Sequence, residues 1–190
     1  MNQNSPELLA MWDTMSLATL MDHVVQTHHV FCRHEVIRLS ALLKDILDEH
    51  GKSHPELRRI QALFSKMSKD LAMHLVKEEQ TLFPYIARVE ETVAQKSSVS
   101  WPPFGTVGNP IRMMLLEHDQ TGHELKEIRK LSNDYLPLAG VCVSYAALYE
   151  GLKAFEEDML EHIRFENDLL FPRAIAMEEE ACARRKEAEG

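Results

Sequence analysis

The 190-residue sequence predicts an all-α protein, an antiparallel four-helix bundle with short terminal helices. Three observations carry that expectation. Seven glycines and eight prolines fall in clusters, which leaves long stretches without punctuation. Those stretches space their apolar residues three and four apart, the period of a helix. Two short turns and one long connector divide them, the connection pattern of a bundle.

Residues 5–14 form a short leading helix in this reading. The first long helix covers about 17–50 and stops at Gly51. The second starts near Ser53-His54-Pro55, where a Ser cap precedes a Pro in the first turn, and persists to about Ala94 with a disturbance at Pro84. Residues 97–110 are the long connector, and the third helix covers about 111–133. The stretch Tyr135–Gly140 breaks the chain before a fourth helix over about 142–170, disturbed near Pro172. The expected organisation is an N-terminal extension over 1–16, the bundle over 17–176 and a charged, helical and solvated tail over 177–190. One stripe on the first helix runs Val25, His29, Cys32, Val36, Leu39, Leu43, Ile46. Its counterpart on the fourth runs Leu148, Leu152, Phe155, Met159, His162, Glu166, Leu169. Such stripes face the bundle axis. Their apolar members are core; the His and Glu on them are the anomaly.

Composition narrows the function. Lys and Arg total 21 against 30 Asp and Glu, a formal charge of −9, so no basic surplus exists to meet nucleic acid or an anionic membrane. Three cysteines, Cys32, Cys142 and Cys182, lie far apart without a CxxC, which argues against a disulfide framework or a thiolate zinc site. The first residues have neither the basic nor the apolar region of a secretory leader, and no apolar run approaches the ~18 residues of a membrane span. A cytoplasmic protein, monomer or homodimer, is expected.

The two halves of the chain repeat. Asp70–Pro84 recurs as Asp158–Pro172, both with the pattern D-x3-H-x3-E-x3-L-F-P. Upstream, His29-x4-His34-Glu35 is echoed by His118-x4-His123-Glu124, and His29 precedes His74 by 45 residues as His118 precedes His162 by 44. From His29 to Gly51 is 22 residues and from Gly51 to His74 is 23; from His118 to Gly140 and from Gly140 to His162 is 22 each. At ~1.5 Å per residue each pair climbs and returns by the same height, so four His from four helices reach one level. Glu78 and Glu166 lie at i+4 from His74 and His162, on the same face one turn on.

Two carboxylates on a bundle seam cost several kcal/mol each if unpaired. A pair of metal ions bridged by both resolves the cost. Imidazole and carboxylate in a bundle suit Fe, Mn or Zn, and two bridging carboxylates favour two non-haem iron ions joined by an oxo or hydroxo bridge. The metal candidates are His29, His74, Glu78, His118, His162 and Glu166. His29 is preferred over His28, which sits ~100° off the seam. His50 lies ~31 Å along the helix from His29 and is a helix-end histidine, with His54 at the same distal end. His23, His34 and His123 fall off the metal face and read as surface residues. Asp70 and Asp158, at i−4 from His74 and His162, are candidates to hold those rings in the ligating tautomer. Glu117, beside His118, is a candidate proton or access-channel group. Cys32 reads as buried filler, and Gly122 is an odd glycine in mid-helix.

These motifs resemble the hemerythrin-like di-iron domain of the Repair of Iron Centres (RIC) family of iron–sulfur cluster repair proteins. The resemblance spans about 20–176. It rests on Asp22-His23 leading to His29, His74-x3-Glu78 within Lys77-Glu78-Glu79-Gln80-x-Leu-Phe-Pro84, Glu117-His118-Asp119, and Asp158-x3-His162-x3-Glu166-Asn167-x-x-Leu-Phe-Pro-Arg173. It implies the same six ligands, with Glu78 and Glu166 bridging. It also implies a role in nitrosative and oxidative stress: restoring damaged iron–sulfur clusters, and binding or reducing nitric oxide at the di-iron site, a nitric oxide reductase activity. The implied partners are NO or O₂ as small ligands and iron–sulfur proteins. The alternative is a reversible O₂ or NO carrier or sensor of hemerythrin type. Two departures stand out. The family usually carries an N-terminal domain with paired cysteines, whereas about 20 residues precede the bundle here. Oxygen carriers have an H-x3-H pair where this chain has Gly122, and here both carboxylates are Glu at i+4, which favours the repair branch.

Overall fold

The computed structural model describes residues 6–95, 97, 102–137 and 141–189, with side chains over 10–184 of these. Residues 1–5 of the extension, 98–101 of the connector, Gly140 of the second turn and Gly190 of the tail lie outside the described residues. The helices are α1 (Pro6–Thr14), α2 (Leu17–His23), α3 (Val30–His50), α4 (Glu56–Lys77), α5 (Phe83–Gln95), α6 (Gly108–Leu131), α7 (Val143–Phe165) and α8 (Phe171–Glu189). Among the described residues none is long and apolar enough to cross a membrane.

Helices α3, α4, α6 and α7 form the bundle, each packed against two of the others in the cycle α3–α4–α6–α7. Helices α2, α5 and α8 prolong three of the four rods, and α5 packs on both α2 and α8. The chain is continuous across these joins through widened, π-helical turns: Val24–His29 between α2 and α3, Glu78–Leu82 between α4 and α5, and Glu166–Leu170 between α7 and α8. In each the next amide reaches back five residues, as Phe83 N–H does to the Glu78 carbonyl and Phe171 N–H to the Glu166 carbonyl. The cause of the last two lies one residue on. Pro84 and Pro172 have no N–H, and their rings would press on the carbonyl four residues back. A widened turn absorbs the mismatch without ending the helix.

Each widened turn slips the buried register by one residue. The stripe predicted on the fourth helix holds through Leu148, Leu152, Phe155, Met159, His162 and Glu166, all buried, but then passes to Leu170 rather than Leu169. Before His29 the same slip buries Val24 in place of Val25.

Two apolar cores result. One contains Leu39, Leu43, Ile46, Ile60, Phe64, Leu148, Leu152 and Phe155. The other contains Leu20, Val24, Leu82, Ile86, Ile111, Met114, Leu170 and Phe171. The His/Glu layer lies between them.

Two boundaries differ from expectation. Helix α6 runs Gly108–Leu131 and ends in three consecutive left-handed residues, Asn133, Asp134 and Tyr135, with φ of 52°, 56° and 58°. The segment from Met177 is helical as expected, continuing α8, but it is not wholly solvated: Glu178 and Ala181 are buried. Glu178 is buried and accepts from Tyr85 Oη at 2.6 Å and from the Val107 amide at 2.9 Å, so it caps the start of α6. Its neighbours Glu179 and Glu180 take the exposed face, which is why the composition alone reads as solvated.

Candidate metal centre

His29 leaves the end of the first widened turn, and Glu78 and Glu166 open the other two. His74 and His162 stand one turn earlier on the same rods, and His118 lies mid-way along α6. All six side chains are buried, with exposures of 0–4%. Each carboxylate faces two imidazoles through different oxygens. Glu78 Oε2 lies 3.3 Å from His29 Nε2 and its Oε1 3.2 Å from His74 Nε2. Glu166 Oε1 lies 3.3 Å from His162 Nε2 and its Oε2 3.2 Å from His118 Nε2. Two donor groups follow, His29–Glu78–His162–Glu166 and His74–Glu78–His118–Glu166, each with its ligand atoms within 4.8 Å of one another. They share both carboxylates.

Among the described residues, both oxygens of Glu78 and of Glu166, and the Nε2 atoms of His29 and His162, have no hydrogen-bond partner. So many unsatisfied buried polar atoms are costly in a chain alone. Imidazole nitrogen and carboxylate oxygen converging in this way are the donors of a borderline transition metal. In the metal-free chain protons stand in for metal. Burial disfavours the His74 cation, but the adjacent Glu78 carboxylate, then Glu166 and Glu117, outweigh it and raise its pKa to about 9. Burial likewise opposes charge on His29, and Glu78 and Glu79 outweigh it, so its pKa is raised. Burial pushes Glu166 up, yet His162 and His118 hold it well below the ordinary carboxylate range.

Residues 20–174 match the Hemerythrin HHE cation binding domain. The chain belongs to the hemerythrin HHE family. It is 33% identical over 164 residues to a "Probable iron-sulfur cluster repair protein" of Haemophilus influenzae, covering 86% of this chain and 68% of that one. It is 32% identical over 173 residues to the "Iron-sulfur cluster repair protein YtfE" of Yersinia pseudotuberculosis, covering 91% of this chain and 72% of the relative. The same figures hold for the protein of that name in Yersinia pestis.

The outer faces of the hemerythrin histidines are held unequally. His29 Nδ1 donates to Glu79 at 2.7 Å, and Glu79 is held in turn by Arg33 at 2.6 Å. His74 Nδ1 donates to Glu117 at 2.8 Å, and Lys77 pairs with the same carboxylate. His118 Nδ1 donates to Asn167 at 2.8 Å. His162 Nδ1 has no hydrogen-bond partner among the described residues; the His28 ring stacks parallel to the His162 ring instead, 5.3 Å away.

Asp70 does not hold His74. It is 61% exposed and pairs with Lys66 at 2.9 Å, because its side chain leaves α4 on the solvent side. Asp158 does not hold His162 either. Its Oδ1 meets His28 Nδ1 at 2.9 Å and its Oδ2 lies 3.9 Å from Cys32 Sγ, across the α3–α7 contact. Glu117, expected at a channel, holds His74. His28 is buried rather than turned aside, since the widened turn over Val24–His29 swings both adjacent histidines inward. His23 is half-buried against Trp12 and Phe165, not a surface residue. Cys32 is fully buried filler.

Sequence reasoning missed Glu79, Asn167 and His28. A signal existed for the first two: each directly follows the shared Glu of its half, so they are equivalents in the repeat. The repeat also pairs Glu117 with His28, each directly preceding a histidine of the layer, and the structure sets Glu117 on His74 and His28 on His162.

Proposed function

We propose that the six side chains hold two iron ions, His29 and His162 on one, His74 and His118 on the other, with Glu78 and Glu166 spanning both. We further propose that the chain, in the cytoplasm, restores iron–sulfur clusters damaged by nitrosative or oxidative stress and binds or reduces nitric oxide. The observation that carries this reading is the sharing of both buried carboxylates by two four-donor groups. The relatives named as iron–sulfur cluster repair proteins support the physiological half of it. Bound iron supplies redox chemistry and coordination positions open to a small ligand.

The protein's own residues do the rest. Glu79, Glu117 and Asn167 fix the Nδ1–H tautomer of three imidazoles and turn Nε2 inward. The apolar cores on either side of the layer exclude water. A cleft of about 260 Å³ between α4 and α6, lined by Leu71, Met73, His74, Leu116 and Glu117, gives a small neutral molecule a path to the His74 side. The Lys77–Glu117 ion pair stands at that cleft.

Iron analysis with an optical spectrum tests the assignment. Two irons per chain are expected; Glu78→Ala or Glu166→Ala lowers the content, and His50→Ala keeps both. Titration of the reduced protein with NO separates turnover from carriage: catalytic N₂O formation supports reduction, and a stable stoichiometric adduct supports a carrier or sensor. Reactivation of an iron–sulfur enzyme with a damaged cluster by the iron-loaded chain, and not by Glu166→Ala, tests repair.

A further inference from the structure

At the end of the bundle remote from the His/Glu layer, α3 runs out at Glu49 and His50 and α7 starts just after Cys142. His50 Nε2 lies 3.2 Å from Cys142 Sγ and 3.6 Å from a Glu49 carboxylate oxygen. The three donor atoms all fall within 4.8 Å of one another. None belongs to the six-residue centre, and the 21 residues of helix between His29 and His50 set the two places ~30 Å apart.

The surroundings hold this cluster in shape. Tyr145, fully buried in the first turn of α7, sets its ring edge-on to both His50 at 5.8 Å and His54 at 5.2 Å. Its hydroxyl meets Tyr149 Oη at 3.0 Å. His54 is occupied elsewhere, with Nδ1 3.1 Å from Glu56, so His50 is the imidazole that faces the thiol. Cys142 takes the N-cap position of α7 with extended backbone, φ −70° and ψ 162°, and makes no side-chain cap bond, which leaves its sulfur directed at His50. The free N–H groups of the first α7 turn favour negative charge beside that sulfur. Glu49 is 66% exposed and His50 21%, so the cluster opens to solvent on one side.

We propose that Glu49, His50 and Cys142 form a second, mononuclear site for a borderline-soft divalent cation of the zinc class. One thiolate, one imidazole and one carboxylate leave a fourth tetrahedral position for water, the donor count of an open zinc site. A hard cation such as Mg²⁺ prefers an all-oxygen shell, and the sulfur selects against it. The bound cation ties the C-terminal end of α3, in one half of the repeat, to the N-terminal end of α7, in the other. The site stands independently of the di-iron reading.

Co²⁺ serves as the optical probe and Zn²⁺ as the affinity probe, both added to the iron-loaded full chain carrying Cys182→Ser, with iron content measured afterwards. One equivalent of Co²⁺ is expected to produce a sulfur-to-cobalt charge-transfer band in the near ultraviolet. Cobalt in the six-residue centre cannot give that band, because no sulfur is among its donors. Cys142→Ser is expected to abolish the band, and His50→Gln to weaken zinc binding about a hundredfold. Both variants keep their iron, which shows that the fold is intact. Zn²⁺ is also expected to protect Cys142 from alkylation. Cobalt uptake without a sulfur band, or zinc affinity unchanged in both variants, overturns the proposal.

Discussion

Phe171 lies parallel to the His118 imidazole, with 5.9 Å between ring centroids and 7° between planes. Phe83 stands in the same relation to His29, at 6.0 Å and 13°. These are the Phe residues of the two L-F-P segments, so the repeat encodes a wall for one histidine in each half. The wall follows from the widened turn: Pro forces the slip, and the slip aims the preceding Phe at the layer. Phe171→Ala removes a side chain that is 1% exposed. We expect a loss of about 3–5 kcal/mol in urea unfolding, together with weaker metal retention. Unchanged metal affinity in a folded variant would show that the ring packs without positioning His118.

The partners of the histidines give a second test. Glu117→Ala deprives His74 Nδ1 of its acceptor and strands Lys77. Metal affinity should fall about 10- to 100-fold. Asp70→Ala removes only an exposed pair with Lys66, and stability should stay within about 0.5 kcal/mol with metal binding untouched. Chelator competition on both variants measures the contrast.

Acidity of the metal-free chain gives a third. The folded His74 pKa, raised to about 9 from 6.5, means that its cation stabilises the fold fully below about pH 6.5. That contribution is lost as pH climbs through about 9. Glu166 runs the other way. Its lowered pKa stabilises the fold above about 4.5, and that contribution disappears as pH falls through the folded value. The thermal stability of metal-free protein should therefore fall on the alkaline side. Loaded protein should not, because bound metal replaces the proton. Equal alkaline profiles for the two forms would contradict the assignment of His74 as a ligand.

Two glycines in helices predict opposite signs. A Cβ on Gly122 would meet nothing within 4 Å, so Gly122→Ala should stabilise the protein by about 0.5–1 kcal/mol through helix propensity. A Cβ on Gly151 would lie 2.6 Å from the Leu39 side chain and press on the Arg38 guanidinium, where α7 crosses α3. Gly151→Ala should destabilise by about 1–3 kcal/mol. Urea midpoints of the two variants check both signs.

The sequence by itself determined the helical class, the four rods and their antiparallel order. It also determined the six donors at one level, because helix rise and period are local properties that residue spacing reports directly. Repetition sharpened it: a His and a Glu four apart, twice, interrupt stripes that packing alone would fill with apolar residues. Only the tertiary structure decided which groups hold those histidines. Asp70 shares a helix face with His74 by count, yet the acceptor for His74 is Glu117 on α6, a choice made by how two helices rotate about their axes. Disturbances at Pro84 and Pro172 were legible in the sequence, but their form as widened turns, and the third such turn over Val24–His29, were not. A one-residue slip leaves composition and motif unchanged while moving burial from Leu169 to Leu170 and turning His28 inward. The approach of Cys142 to His50 spans 92 residues of sequence. Where two helix ends meet depends on the packing of the whole bundle, which no local spacing reports.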